Sequence, residues 1–178
     1  MPVDPVTEVL GLLAARPPTL GGGRLLCVDG PSGSGKTTFA TRLARRAPES
    51  RVVHMDAMYD GWDGLARVDE QLETLLAPLA LDRPGSYQRY DWHAARYAGA
   101  VTVPPRPLLI LEGVGSWSPA YRALVTVLVW VQAPADERLA RALARDGADM
   151  EPRLREWAVS EQQHFARAAT RAHADREI

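Results

Sequence analysis

The chain has 178 residues, 46% of them hydrophobic, and a formal net charge of -1 at neutral pH. That length and apolar content suit a single domain, 1–178, with a sizeable core. The near-zero charge offers no sequence-wide attraction to nucleic acid or an anionic membrane, and the lone cysteine, Cys27, excludes an intrachain disulfide.

Residues 1–20 read as an N-terminal helix and linker. Asp4 is placed to cap a helix running to Arg16, Pro5 suits its first turn, and Val6, Val9, Leu10 and Leu13 share one face. No basic region followed by an apolar core marks a signal peptide, and no apolar run approaches the length of a membrane span, so a cytoplasmic setting is the default expectation. Pro17-Pro18 and Gly21-Gly22-Gly23 lead into an apolar run of strand length, 24–29. Cys27 falls in this run and reads as a buried, inert thiol.

Gly30-Pro31-Ser32-Gly33-Ser34-Gly35-Lys36-Thr37 follows at once and fits G-x-x-x-x-G-K-[ST]. Lys36 is the only lysine of the chain; the rest of its 21 lysines and arginines are arginine. Glycines let backbone N–H groups face an anion, and the helix that follows adds its positive dipole end. Lys36 would reach the β- and γ-phosphates as a point charge, and the Thr37 hydroxyl would ligate Mg²⁺. A Gly-rich turn can match this pattern by chance. Here a strand precedes it and Thr38 to Arg46 reads as a helix, which is the context a phosphate loop requires.

A second strand, 51–56, ends on Asp56, and 57–66 reads as loop. Leu72, Leu75, Leu76 and Leu79 give 68–81 a helical period, disturbed at Pro78, and Pro84-Gly85 marks a turn. The third and fourth strands, 107–112 and 125–131, are apolar without alternation, as strands covered on both faces are. Helices follow at 135–145 and 151–171, separated by Asp146-Gly147-Ala148-Asp149. Strands alternating with helices predict an α/β fold with a parallel sheet flanked by helices on both faces.

Asp56 and Glu112 both end strands, and in such sheets the ligand crevice lies beyond those ends. Isolated strand-end carboxylates usually serve turns; two beside a phosphate loop fit phosphoryl transfer, with Glu112 toward the metal and Asp56 as base. Arg138, Arg141 and Arg145 share one helix face. They fit either a solvated basic face or a lid over the phosphates. His54 reads as structural or as a support standing behind the site, Trp130 and Trp157 as core, and Trp62, Trp92 and Trp117 as either pocket or packing. His164 and His173 carry no metal-ligand pattern.

In order, Gly30 to Thr38, Asp56-Ala57-Met58-Tyr59, Tyr90-Asp91-Trp92, Leu109-Ile110-Leu111-Glu112-Gly113 and Ala135 to Asp146 resemble the uridine–cytidine kinase family of P-loop nucleoside kinases, over about two thirds of the chain. The resemblance implies the P-loop NTPase fold with strand order 2-3-1-4, a family fifth strand missing or vestigial, and a short lid at 134–150. It implies ATP and Mg²⁺ as cofactors, with the phosphates held by Gly30, Ser32, Gly33, Ser34, Gly35, Lys36, Thr37 and Thr38. Asp56 would match the catalytic aspartate that activates a nucleoside 5′-hydroxyl. Tyr59, Tyr90 and Trp92 would line the acceptor pocket, Asp69 would hold the ribose hydroxyls, Thr37 and Glu112 would serve magnesium, and Arg138, Arg141 and Arg145 would close as lid arginines. A histidine that the family sets against the pyrimidine is replaced by Ala95, and the family's β-hairpin insertion reads as shortened to Gly61-Trp62-Asp63-Gly64.

The expected activity is therefore an ATP- and Mg-dependent kinase acting on a small-molecule hydroxyl, with a nucleoside first and another hydroxylated metabolite second. A P-loop NTPase without an acceptor is the alternative class. The expected partners are a nucleotide and a small molecule, without nucleic acid or membrane; an oligomer stays open.

Overall fold

The structure, a computed structural model, describes residues 3–178. The first two positions of the expected 1–178 domain and of its 1–20 segment lie outside them. In chain order the elements are α1 (Pro5–Ala15), β1 (Arg24–Asp29), α2 (Lys36–Arg46), β2 (Ser50–His54), α3 (Val68–Leu79), β3 (Gly85–Asp91), β4 (Arg96–Val103), β5 (Leu108–Glu112), β6 (Val127–Trp130), α4 (Ala135–Asp146), α5 (Glu151–Ala168) and β7 (Arg176–Glu177).

Five strands form one sheet in the order β2-β5-β1-β6-β7, and every pairing in it is parallel. The four expected strands take the expected 2-3-1-4 order. A fifth is added at the edge, where the two-residue β7 pairs with Val129 and Trp130. Its Arg176 and Glu177 are exposed, so no apolar run announced it.

Alternation along each strand explains the unbroken apolar sequence. Leu26, Val28, Ile110, Val127 and Val129 face Val6, Val9 and Leu13 of α1 and Phe39, Ala40 and Leu43 of α2. Their neighbours Leu25, Cys27, Leu109, Leu111 and Leu128 face Leu72, Leu75, Leu76 and Leu79 of α3 and Trp157 of α5. Successive residues point to opposite faces and both faces are covered. Leu111 is fully buried at the centre of this arrangement. Leu111→Ala is expected to destabilise the chain by about 2–5 kcal/mol, read as a lower urea midpoint at an unchanged m value.

Several local details differ from the sequence reading. The Asp4 carboxylate does not cap α1; it accepts hydrogen bonds from Arg42 at 2.7 Å and Arg46 at 3.0 Å and so ties α1 to α2. β2 ends at His54, and Asp56 sits in a single 3₁₀ turn, Met55–Ala57, just beyond it. Part of the expected 57–66 loop is a 3₁₀ helix, Gly61–Arg67. Pro78 falls in the last turn of α3 and leaves the helix intact to Leu79. α5 stops at Ala168, with Ala169 in the left-handed region, short of the expected Arg171.

The largest difference is the antiparallel β3–β4 hairpin, bulged between Gln88 and Tyr90. A hairpin shortened to Gly61–Gly64 was expected; a full one instead follows α3. Most of its residues are exposed, so it lacked the apolar signature that marked the other strands. It packs on α3 at Gly85, where any Cβ would run into the Leu75 carbonyl oxygen. No helix among the described residues is long and apolar enough to cross a membrane.

Candidate active site

The loop from Gly30 to Gly35 joins the buried end of β1 to the first turn of α2. Among the described residues, the N–H groups of Gly33, Gly35, Lys36 and Thr37 meet no acceptor within the protein. They are free donors at a helix N-terminus, the arrangement that binds phosphate. Lys36 is 7% exposed and its Nζ donates to the Pro31 carbonyl at 2.9 Å. Burial lowers its pKa, against the pull of the carboxylates of Asp29, Glu161, Glu112 and Asp56. The ammonium expected to reach for phosphate is here buried and folded back on the loop.

Asp29, which the sequence reading passed over, anchors the loop from below. It is fully buried and accepts N–H bonds from Gly30, Gly115 and Trp117. Burial pushes its pKa up to about 7 against those donors and the nearby Lys36. One carboxylate thus ties the start of the phosphate loop to the turn that follows β5.

Parallel register sets the next group. His54 and Glu112 are direct partners across β2 and β5. Glu112 is 5% exposed; its Oε1 accepts from the Thr37 hydroxyl at 3.0 Å and its Oε2 lies 2.6 Å from His54 Nδ1. The hydrogen bond to Glu112 raises the pKa of the half-exposed His54, which therefore orients Glu112. Hard oxygen donors at Thr37 and Glu112 fit Mg²⁺, which commonly takes one or two protein ligands and completes its shell with phosphate and water. No cluster of three or more His, Cys, Asp or Glu side chains able to hold a metal occurs among the described residues.

Asp56 is where the groups converge. Asp56 keeps exposed surface; the protein packed around its carboxyl raises its pKa and Glu112 raises it further, while Lys36, Arg145 and His54 oppose the shift. Asp56 also lines a cavity of about 600 Å³ together with Ser32, Tyr59, Trp62, Trp92, His93, Arg145, Asp146, Met150, Leu154 and Trp157. Tyr59 is a buried wall whose hydroxyl donates to the Val114 carbonyl at 2.6 Å. Trp62 stands edge-on to Trp92 at 5.4 Å and to Trp157 at 6.1 Å. The Trp92 indole N–H donates to the Asp56 carbonyl at 2.9 Å, fixing the hairpin tip over the cavity.

Other expected site residues are distributed differently. Tyr90 stands edge-on between Trp92 and Tyr97 and braces the wall from behind. Asp69 is not brought to the cavity: it lies in the first turn of α3 and accepts from the Ser118 hydroxyl at 3.2 Å. The three arginines of α4 divide. Arg138 and Arg141 donate to the Ser32 and Gly33 carbonyls of the loop, whereas Arg145 lines the cavity and pairs with Asp146. Trp117 is buried packing, stacked on His173. Trp157 belongs to the core and to the cavity wall alike.

No protein-family model matches the chain. Uridine kinase-like protein 4 of Arabidopsis thaliana is 32% identical over 136 residues, covering 67% of this chain and 29% of that protein. Uridine kinase of Borreliella burgdorferi is 27% identical over 142 residues, covering 69% of this chain and 67% of that enzyme. The chain thus spans under a third of the first relative and about two thirds of the second. A crystal structure from Silicibacter sp. TM1040, described as a candidate fructose transport system kinase, superposes with a TM-score of 0.74 at 20% identity, over 99% of this chain and all of that one. The fold and its loop define a P-loop protein. The relatives named uridine kinase, at 27–32% identity, support a uridine kinase-like P-loop kinase family for the chain.

Proposed function

We propose that the chain is an ATP- and Mg²⁺-dependent kinase that transfers the γ-phosphoryl group to a hydroxyl of a small molecule held in the cavity beside Asp56. The first candidate acceptor is the 5′-hydroxyl of a nucleoside; that two relatives are named uridine kinase or uridine kinase-like supports a nucleoside. The observation that carries this reading is the position of Asp56, which lines the cavity and feels the charges of Glu112, Lys36 and Arg145. A base, a phosphate cradle and an acceptor space meet at one carboxylate.

In this reading Asp56 accepts the hydroxyl proton as the oxygen attacks, and the carboxylate orients that oxygen beforehand. Lys36 leaves the Pro31 carbonyl for the phosphate oxygens, and the free loop N–H groups hold the rest of the phosphate chain. Arg145 neutralises charge on the transferred group from the cavity side. Arg138 and Arg141 act at the loop. Thr37 and Glu112 would hold Mg²⁺, which when bound screens the phosphate charge. Residues 134–150 serve as the lid of one domain, and a cytoplasmic setting belongs to the same reading.

A panel of alcohols with ATP tests the proposal. ADP release that depends on an added nucleoside supports it; release stimulated only by a non-aromatic alcohol shifts the acceptor class; release indifferent to every alcohol makes the chain an NTPase. The pH dependence has a defined sign. Only ionised Asp56 can accept a proton, and its pKa lies above the ordinary aspartate value. Acceptor kcat/KM should therefore fall as pH drops through that raised value, with the acid limb displaced upward from the usual carboxylate range.

A further inference from the structure

The last long helix carries a carboxylate that the reading above does not use. Glu161 is 2% exposed, and its Oε1 accepts the Ser32 N–H of the phosphate loop at 2.8 Å and the Trp157 indole N–H at 2.7 Å. The same indole N–H lies 3.1 Å from the Ser32 hydroxyl oxygen. Ser32 is thus held at both its backbone and its side chain by two residues one helical turn apart. A second cavity, of about 340 Å³, opens beyond them, and Ser32 and Trp157 line both spaces.

Trp157 faces the acceptor space with its ring. Its centroid lies 5.0 Å from that of Tyr59 and 6.1 Å from that of Trp62. One side chain is therefore cavity wall on its face and loop anchor at its nitrogen. We propose that Trp157 and Glu161 are positioning residues that hold the third residue of the phosphate loop from the acceptor side, so that occupancy of the cavity is registered at Ser32. This rests on the kinase reading for its acceptor half and on the loop geometry alone for its nucleotide half.

The chemistry of the pair explains why a carboxylate stands there. A charge-assisted bond to a backbone N–H is shorter and stronger than a neutral one. Glu161 also adds to the negative field that keeps the buried Lys36 protonated. A buried carboxylate so close to a phosphate site disfavours the nucleotide by like charge, so retaining its anchoring bond must outweigh that repulsion. An acceptor packed against the Trp157 ring fixes the indole, and with it the carboxylate and the loop.

The test compares ATP affinity by calorimetry for Glu161→Gln and Glu161→Ala, and steady-state kinetics for Trp157→Phe. Glu161→Gln keeps an oxygen for the Ser32 N–H and removes the charge, so ATP should bind within about threefold of wild type or more tightly. Glu161→Ala removes the anchor and should bind about tenfold more weakly than Glu161→Gln. Should the alanine variant fail to fold, Glu161→Asp, too short to reach Ser32, serves the same comparison. Trp157→Phe keeps an aromatic face, though a smaller one, and loses the indole N–H; acceptor KM should stay within about threefold while kcat falls about tenfold. Equal ATP affinity in the glutamine and alanine variants overturns the nucleotide half. Wild-type kcat in a folded Trp157→Phe protein overturns the acceptor half. If no alcohol stimulates ADP release from the wild-type chain, the kinase reading fails and the ATP affinities alone decide whether Glu161 positions the loop.

Discussion

Lys36→Ala should remove phosphoryl transfer, by at least about 10²–10³-fold in kcat, while the chain stays folded. The ammonium lies within the influence of four carboxylates, Asp29, Glu161, Glu112 and Asp56. It is the positive charge that lets acidic groups and a triphosphate share one site. Its hydrogen bond to Pro31 is local to the loop, so the two layers of core on either side of the sheet do not depend on it. Removing it has a second consequence: Lys36 holds the Asp56 pKa down, so the variant leaves the base protonated to higher pH. Lys36→Arg should fail as well, because a planar fork replaces a point charge in a narrow cradle. ADP release measured with a saturating acceptor, beside a circular dichroism melt, checks both variants. Substantial turnover by folded Lys36→Ala would mean that the loop does not act in catalysis.

Asp56→Asn should lower kcat by about 10²–10⁴-fold, the usual contribution of a general base, with ATP still bound. Asparagine preserves shape and cannot take the proton. The neighbouring acids supply the control. Asp60 is exposed and paired with Arg67 at 2.8 Å, and neither it nor Asp63 lines the acceptor cavity. Asp60→Asn and Asp63→Asn should act on acceptor KM at most. Loss of kcat in Asp63→Asn with normal kcat in Asp56→Asn would move the base to a different position in the chain.

The sheet was legible because burial on both faces leaves a plain trace. Residues 107–112 and 125–131 are apolar without alternation and 24–29 is a further apolar run, the pattern of strands covered on both faces. The loop was legible because its glycines, lysine and threonine are required by local geometry, independent of distant contacts. The hairpin and β7 escaped because their strands are short or exposed and carry no apolar excess. Asp29 and Glu161 escaped, and His54 was legible only as a support without a named partner, for a different reason. Each acts through a partner far along the chain: Trp117 and Gly115 for Asp29, Glu112 for His54, Ser32 for Glu161. His54 was within reach of inference, since placing the second strand beside the third sets it opposite Glu112. Glu161 was not, because nothing in a helix sequence tells which loop its buried face will meet. Asp69 shows the converse risk: its position matched a family pattern, yet Ser118 holds it away from the cavity.

A chain with one lysine, buried at the first position of α2, carries its own conformational reporter. A lysine-specific protease has a single cleavage point in the whole sequence, the bond between Lys36 and Thr37. That bond lies inside a helical turn and can enter a protease only when the loop and the turn open together. Under conditions where reclosing outpaces cutting, the rate of cleavage measures the population in which the phosphate loop is open, by local opening or by global unfolding. A nucleotide that binds only the closed loop must slow that cut in proportion to its saturation. Loop dynamics and nucleotide affinity can then be followed on a gel, with no label and no knowledge of the acceptor.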